Sequence, residues 1–242
     1  MSFLPPDQLN ELIHFATIAD KEARSDLSLG FIKDENDYTS NFTSALRRII
    51  NSNSQTGLSA SSFLLQHTEE REMGADAAII LSCGKESKIA VFEAKWPRFM
   101  SSGYQWDYAQ TASGLSHFSD QLERQTHWRG LFAVFEMFYS EHPFASQPPF
   151  LDANGSSCVW HDDTDAFRKQ RPDPDAVWSQ AELQKLLTTK RVSIAEVMLE
   201  FGICNQGKPI QMVGAAKIGR QFRLPQRLLA IDANIERGRR QK

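Results

Sequence analysis

The amino-acid sequence predicts an α/β protein with a mixed central β-sheet flanked by helices and a C-terminal extension of helices and a strand. Three observations lead to this fold class. An apolar stripe with helical spacing covers residues 38–50, a short turn joins two apolar runs at 77–82 and 88–96, and a further apolar run at 131–139 follows a second helical stripe. A tight turn gives antiparallel strands and a helical crossover gives parallel ones, so this order predicts mixed strand directions.

The N-terminal part begins with two predicted helices. Asp7 is placed to cap the first helix, in which Leu9, Leu12 and Ile13 recur at helical spacing. The second helix follows the acidic run 34–37 and carries Tyr38 and the other apolar residues of 38–50 on one face. Its polar end leads into the sheet strands.

Strand-like runs follow at 62–67, 77–82 and 88–96. Residues 83–87 contain Gly84 and are typical of a turn, so the second and third strands are expected to form a hairpin. A crossover helix is predicted from the apolar stripe between Tyr104 and Leu122, before the strand at 131–139.

Beyond this core the sequence is less regular. Residues 140–177 are rich in Pro, Asp and Ser, which predicts a long loop. Helices are expected at 180–189 and 193–200, before a final apolar region at 210–231. The resulting division is a core with its N-terminal helix at 1–145, a loop or linker at 146–178 and an extension at 179–242. Sequence alone leaves open whether this extension is an accessory layer or a small second domain.

Charge is unevenly distributed along the chain. The 30 acidic and 27 basic residues give a net charge of −3. From Lys217 to the end, however, eight basic residues face two acidic ones, a local +6 that leaves −9 for the remainder. A basic segment can bind a polyanion by releasing its counterions. A solvated tail has the same composition, so charge does not decide between the two.

Several classes of protein are excluded by sequence features. The run at 131–139 contains Glu136 and is too short to span a bilayer, and the first residues lack the layout of a signal peptide. We therefore expect a cytoplasmic protein without membrane contact. Three cysteines without a CxxC pair predict neither a disulfide framework nor a cysteine zinc site. Phosphate-binding and dinucleotide-binding glycine motifs are missing as well.

Two carboxylates are predicted to face each other across the hairpin. Asp76 opens one strand and Glu93 lies near the end of the next. If Ser82 pairs with Ser87, paired residue numbers sum to 169, which also pairs 76 with 93. Directly opposed residues have Cβ atoms about 5 Å apart, close enough for both carboxylates to hold one divalent cation. Lys95 points from the same face as Glu93 because strand side chains alternate.

This trio of side chains suits phosphodiester hydrolysis. Carboxylates and a lysine at the end of apolar strands are unfavourable to bury without a partner. We expect Asp76 and Glu93 to hold Mg²⁺, with Mn²⁺ as a possible substitute, and Lys95 to orient the attacking water or steady charge on the phosphate.

These residues resemble the PD-(D/E)XK nuclease superfamily, the restriction-endonuclease-like fold. Asp76 matches the acid at a strand start, Glu93-Ala94-Lys95 matches the acid, any residue and lysine of the adjacent strand, and the element order from about Glu35 to Tyr139 matches the α-β-β-β-α-β core. Ala75 stands where the pattern has proline.

The resemblance implies further site residues. Many such nucleases add an acid from the first core helix, for which Glu35 is the candidate and Asp37 the substitute, although acids there also favour a helix start. They also add a glutamine from the helix after the lysine, and here Gln110, Gln121 and Gln125 compete. Glu72 either extends the metal site or ends a loop in solvent.

Two other motifs are weaker candidates. Glu86-Ser87-Lys88 repeats the acid-any-lysine triplet but lies at the turn, with no apolar strand leading into it. His161, Asp162, Asp163 and Asp165 lack a second histidine at ligand spacing and are expected in a solvated loop.

The resemblance implies a Mg²⁺-dependent endonuclease acting on DNA, in prokaryotic restriction or anti-phage defence. It also implies a homodimer, one copy for each strand, and admits a partner ATPase or sensor protein. The alternatives are a nuclease-like module that only binds nucleic acid or a partner, and an RNA endonuclease. Intact Asp76, Glu93 and Lys95 argue against the binding module, since a decayed site should have lost at least one of them.

Overall fold

The computed structural model describes residues 2–65, 73–100, 103–140 and 155–233. The helices are α1 (Pro6–Ser28), α2 (Glu35–Asn53), α3 (His117–Gln125), α4 (His161–Lys169), α5 (Gln180–Lys190), α6 (Ile194–Gly202) and α7 (Ala215–Gln221). The strands are β1 (Leu58–Leu64), β2 (Ala77–Cys83), β3 (Glu86–Lys95), β4 (Arg98–Met100), β5 (Gly103–Gln105), β6 (Ala133–Phe138), β7 (Ser157–Trp160) and β8 (Arg227–Ala233). The protein is an α/β structure, as predicted.

Six strands form a mixed open sheet in the order β1-β8-β2-β3-β6-β7. Strands β2 and β3 form the predicted antiparallel hairpin, while β3 and β6 run parallel, as the crossover between them requires. A separate two-stranded ribbon is made by β4 and β5. The predicted mixed sheet with flanking helices is therefore confirmed.

Strand β8 lies inside this sheet. It pairs with β1 on one side, antiparallel, and with β2 on the other, parallel. The region predicted as a C-terminal extension thus contributes an interior strand to the main sheet, and Arg227 at the start of β8 pairs with Ala77 at the start of β2.

Alternation along the strands separates the two faces of the sheet. Ala90, Phe92 and Ala94 of β3 belong to the large apolar cluster that also contains α1, α2 and α6. Ile89 and Val91 belong to a second cluster on the opposite face. Strand side chains alternate with period two, so the odd-numbered residues that follow, 93 and 95, share this second face, which α3 helps to cover.

Part of the predicted loop is regular structure. Within 140–177, residues Ser157–Trp160 form edge strand β7 and His161–Lys169 form α4. The prediction was wrong there because β7 has only four residues and the first turn of α4 contains Asp162 and Asp163, which resemble loop composition. The predicted helices at 180–189 and 193–200 are confirmed as α5 and α6.

The crossover helix is shorter than predicted. Tyr104 lies in β5, and a bridge between Ala109 and Ser116 closes a loop before α3 begins at His117. Asp107 stabilises this start, since its Oδ1 accepts from the Phe118 N–H at 3.0 Å and its Oδ2 from the Ser116 hydroxyl at 2.7 Å. Helical spacing of apolar residues before 117 was therefore coincidental.

The starts of α1 and α2 also differ from those predicted. Pro5, not Asp7, is the N-cap of α1, and Asp7 lies in its first turn. Asp34 caps α2, since its Oδ1 accepts from the Asp37 N–H at 2.8 Å. This cap fixes Glu35 as the first residue of α2.

Candidate active site

Asp76 and Glu93 lie together at one end of the β2–β3 hairpin, and both line the same pocket. Ser82 pairs with Ser87 and Ala77 with Phe92, which confirms the register in which paired numbers sum to 169. Asp76 lies one residue before β2, where its N–H donates to the Phe92 carbonyl at 2.9 Å. Its Oδ2 accepts from the Ala94 N–H, also at 2.9 Å. The carboxylate is thereby fixed beside the end of β3.

Lys95 and Glu93 form a buried ion pair. Lys95 Nζ lies 2.5 Å from Glu93 Oε1, and the two residues are 4% and 2% exposed. The ammonium also lies 5.8 Å from the centre of the Phe118 ring on α3. The helix above the sheet thus packs an aromatic ring against the ammonium.

Glu35 reaches the same end of the sheet from α2. Its Oε1 accepts from the N–H of Trp96, the residue after β3, at 3.0 Å. Asp37, the substitute candidate, is used locally instead, because its Oδ2 accepts from the Lys33 N–H at 3.3 Å. Of the two acids, Glu35 is the one that the structure brings to the site.

The three candidate glutamines have different positions. Gln121 on α3 donates from Nε2 to Glu93 Oε1. Its Oε1 is buried and has no hydrogen-bond partner among the described residues. Gln125, one turn later, donates to the Gly74 carbonyl instead. Gln110 lies in the loop before α3 and lines the pocket beside the carboxylates.

A pocket of about 670 Å³ opens above these groups. Its walls include Asp76, Glu93, Gln110 and Gln121 from the predicted site. Tyr108, His117, Asp120 and Arg124 line the other side. The pocket is therefore acidic on the sheet side and aromatic and polar on the helix side. Glu72, the remaining predicted site residue, lies outside the described residues.

Gly74 allows the loop before Asp76 to approach α3. Its φ is +69°, and an added Cβ would lie 2.6 Å from the Gln121 carbonyl oxygen. No other residue type fits there without moving the backbone. The close approach sets the distance between Asp76 and the helix that carries Gln121.

Burial and mutual repulsion perturb the acids. Burial raises the pKa of Asp76 to about 6, against the opposing effect of Lys95 and of the Ala94 N–H. Burial and the neighbouring Asp76 carboxylate raise the pKa of Glu93 well above its ordinary value. Burial alone would lower the pKa of Lys95, but Glu93, Glu35 and Asp76 together raise it. Three carboxyl groups thus surround one ammonium.

These groups fit a magnesium ion that also binds substrate and water. Within the described ranges, no three His, Cys, Asp or Glu side chains form a closed cage. Mg²⁺ usually takes only one or two protein carboxylates and completes its shell with water and substrate phosphate. Asp76 and Glu93 supply the carboxylates, the repulsion between them favours a cation, and Gln121 Oε1 is a buried oxygen without a donor.

Several residues near the site were not predicted. Glu136 of β6 pairs in register with Glu93 and is fully buried, and His161 Nδ1 lies 3.7 Å from its Oε1. Gln125 joins them, since its Oε1 lies 3.0 Å from His161 Nδ1. The expectation of a solvated loop at 161–165 was wrong, because these residues lie in α4 and His161 and Asp165 are only 1% and 2% exposed. An acid inside an apolar strand, at 136, was the signal available in the sequence.

Arg227 is the second unpredicted neighbour. It donates to Asn36 Oδ1 and to the Ser40 hydroxyl, both at 2.9 Å, and its charge lowers the pKa of Asp76. Sequence reasoning placed this arginine in a basic tail, since nothing indicated that β8 enters the sheet beside β2.

Comparison with protein-family models, curated proteins and solved structures finds no match for this chain. Among the described residues, no helix is long and apolar enough to cross a membrane.

Proposed function

We propose that the protein is a Mg²⁺-dependent endonuclease that hydrolyses phosphodiester bonds of DNA. The observation that carries this proposal is the convergence of Asp76, Glu93 and Lys95 at one end of adjacent strands, where Asp76 and Glu93 line the 670 Å³ pocket. Glu35 and Gln121 reach the same place from two helices.

Asp76 and Glu93 are the residues that would hold the metal. A bound Mg²⁺ supplies Lewis-acid polarisation of the phosphate and lowers the pKa of a water molecule. Both carboxylates are fixed by the protein before any ligand binds: Asp76 by the Ala94 N–H, and Glu93 by Lys95 and Gln121. Such preorganisation is favourable for catalysis, because no side chain must be ordered during the reaction.

Lys95 provides the positive charge of the site. Its ammonium is held within the acid cluster by Glu93, and the surrounding carboxylates keep it protonated. In this state it can donate to an attacking water or to a phosphate oxygen on which negative charge develops. Glu35 adds a third carboxylate, able to accept a proton or a hydrogen bond from that water.

The order of elements supports the finer assignment. Apart from the separate β4–β5 ribbon, which lies between β3 and α3, the chain from α2 to β6 follows the α-β-β-β-α-β order of a restriction-endonuclease-like core. A role in prokaryotic restriction or anti-phage defence, a homodimer and a partner ATPase or sensor stay predictions of that resemblance.

The test is cleavage of supercoiled, single-stranded and RNA substrates with Mg²⁺, Mn²⁺ or EDTA. Wild-type protein should nick DNA with metal and not with EDTA, and Asp76→Asn should lose this activity. Asp232→Asn is the matched control, because Asp232 is exposed at the far end of β8, where it pairs with Ser82. Metal-dependent cleavage of RNA but not of DNA would mean that the substrate is RNA. Nucleic-acid binding without cleavage of any substrate would favour the binding module.

A further inference from the structure

A stacked pair of aromatic side chains forms the pocket wall that faces away from the sheet. The rings of Tyr108 and His117 are 4.7 Å apart and inclined by only 14°. Their backbones are joined as well, since the His117 N–H donates to the Tyr108 carbonyl at 2.9 Å. The bridge between Ala109 and Ser116 closes the loop behind them. The pair is thus held in place without any ligand.

Tyr108 is largely exposed although its backbone and ring are both held by His117. Its exposed fraction is 58%, while His117 lies against one face of its ring and is itself half-buried. Burial, together with the positive charges of Lys95 and Arg124, lowers the pKa of His117. This shift favours the neutral imidazole, which supports the tyrosine ring as a planar neighbour.

The pair shares its pocket with the carboxylates. Tyr108 and His117 line the same 670 Å³ space as Asp76 and Glu93, and so do Gln110 and Arg124. Ligand pockets commonly have about 300–1,000 Å³, so this space accepts a group as large as a nucleotide. A phosphate beside the carboxylates would leave its attached sugar and base on the aromatic side.

We propose that Tyr108, backed by His117, is a stacking platform for an unpaired nucleobase adjacent to the phosphate that the site attacks. This inference rests on the proposed nuclease function and narrows its substrate to DNA that is single-stranded or locally opened at the cleavage point. In an intact duplex, neighbouring base pairs cover both faces of each base. Only an unpaired or extruded base offers a face to Tyr108.

The test is equilibrium binding in EDTA, where no cleavage occurs. The probes are a fluorescent oligothymidylate and a fluorescent hairpin duplex, measured by anisotropy with wild type, Tyr108→Leu and Tyr108→Phe. Stacking on one aromatic ring predicts that Tyr108→Leu weakens oligothymidylate binding by about 5- to 100-fold. Duplex binding should change by less than about twofold, and Tyr108→Phe should retain wild-type affinity because it keeps a ring.

An oligonucleotide with 2-aminopurine at successive positions gives an independent readout. Its fluorescence should be quenched at one position on binding to wild type, and Tyr108→Leu should remove that quenching. Equal losses on single-stranded and duplex probes, or an unchanged affinity of Tyr108→Leu, would overturn the platform even if wild type cleaves DNA. If Tyr108→Leu weakens only single-strand binding while the wild-type protein cleaves no substrate, the stacking platform is retained and the nuclease function is rejected.

Discussion

The two ends of β3 carry the same short pattern and different chemistry. Glu86-Ser87-Lys88 lies at its start and Glu93-Ala94-Lys95 at its end, and both lysines are buried, with 0% and 4% exposure. Lys95 forms an ion pair with Glu93 in its own triplet. Lys88 instead donates to the carbonyls of Phe201 and Gln206, the latter at 3.0 Å.

The pKa values of the two lysines are shifted in opposite directions. Burial lowers the pKa of Lys88, which donates to two carbonyls, while three carboxyl groups raise the pKa of Lys95 despite burial. Glu86 accepts from Gln211 at the surface instead of meeting Lys88. An acid-any-lysine triplet therefore predicts a charged site only where a neighbouring strand and helix add further acids.

The largest expected difference between the two ends is in cleavage. Replacing Lys95 with Met should reduce the rate of DNA cleavage by at least about 10²-fold, because a preorganised charge at the reacting phosphate is removed. Lys88→Met should leave the rate per folded molecule unchanged. Initial rates normalised to the folded fraction measure both variants. Equal losses in the two would mean that Lys95 acts only through folding.

A second contrast concerns folding stability. Lys88→Met leaves the carbonyls of Phe201 and Gln206 without their buried donor, and should lower the free energy of unfolding by about 1–3 kcal/mol. Urea denaturation followed by circular dichroism measures this loss. Exposed Lys85, in the turn of the same hairpin, provides Lys85→Met as the control and should change little. A stable Lys88→Met protein would show that water replaces the ammonium.

Alanine substitution of two glycines distinguishes an effect on activity from an effect on stability. One glycine lies near the Lys95 site and the other near Lys88. Gly74 near Asp76 and Gly207 beside Gln206 both have φ of +69°, and an added Cβ would meet backbone at 2.6 and 2.7 Å. Alanine at either position should lower stability by about 1–3 kcal/mol. Only Gly74→Ala should also slow cleavage in the folded fraction, since it displaces Asp76 from α3.

Gly114→Ala is the control for backbone strain alone. Gly114 has a φ of +72° and no atom within 4 Å of an added Cβ. Its alanine variant should lose about 1 kcal/mol, from the left-handed conformation, and keep its activity. A Gly74→Ala protein with unimpaired cleavage would contradict the positioning of Asp76 by this contact.

The last contrast is the pH dependence of metal-free stability. The pKa of Asp76 is about 6 in the folded protein and about 3.9 in an unfolded chain, so the folded state binds more protons between these values. Stability should therefore fall as pH rises from about 4 to about 6 and then stay level for this group. After allowance for partial exposure, the loss is ~1–2 kcal/mol.

Asp76→Asn should remove this part of the dependence. The variant should be more stable than wild type above about pH 6 in EDTA and equally stable near pH 4. Thermal unfolding across pH 4–8 measures the difference, with Asp232→Asn as the reference. An Asp76→Asn protein that melts below wild type at pH 7 would show that the carboxylate is stabilised, not strained, by its surroundings.

Sequence reasoning succeeded where interactions are local or fixed by alternation. The hairpin register follows from one turn and placed Asp76 and Glu93 at the same end of the hairpin, and α2 follows from its apolar stripe. It failed where partners are distant in sequence. The entry of β8 between β1 and β2 brings Arg227 beside Asp76 over about 150 residues of separation, and no local pattern encodes that pairing.

The choice among glutamines shows the same limit. Gln110, Gln121 and Gln125 all follow the lysine at plausible distances, and only the packing of α3 on the sheet decides that Gln121 contacts Glu93. Gln125 meets Gly74 and the Glu136–His161 pair instead. Helix periodicity placed the two on one face but could not fix which end of the helix lies over the strands.

The interior position of β8 has a consequence for synthesis on the ribosome. Strands β1 and β2 are made early, yet each is hydrogen-bonded to β8 in the finished sheet, so both have an open edge until residues 227–233 emerge. Contacts of such long separation form late in folding. Asp76 thus gains its neighbour Arg227 only after nearly all described residues have been translated, which delays any activity of the nascent chain.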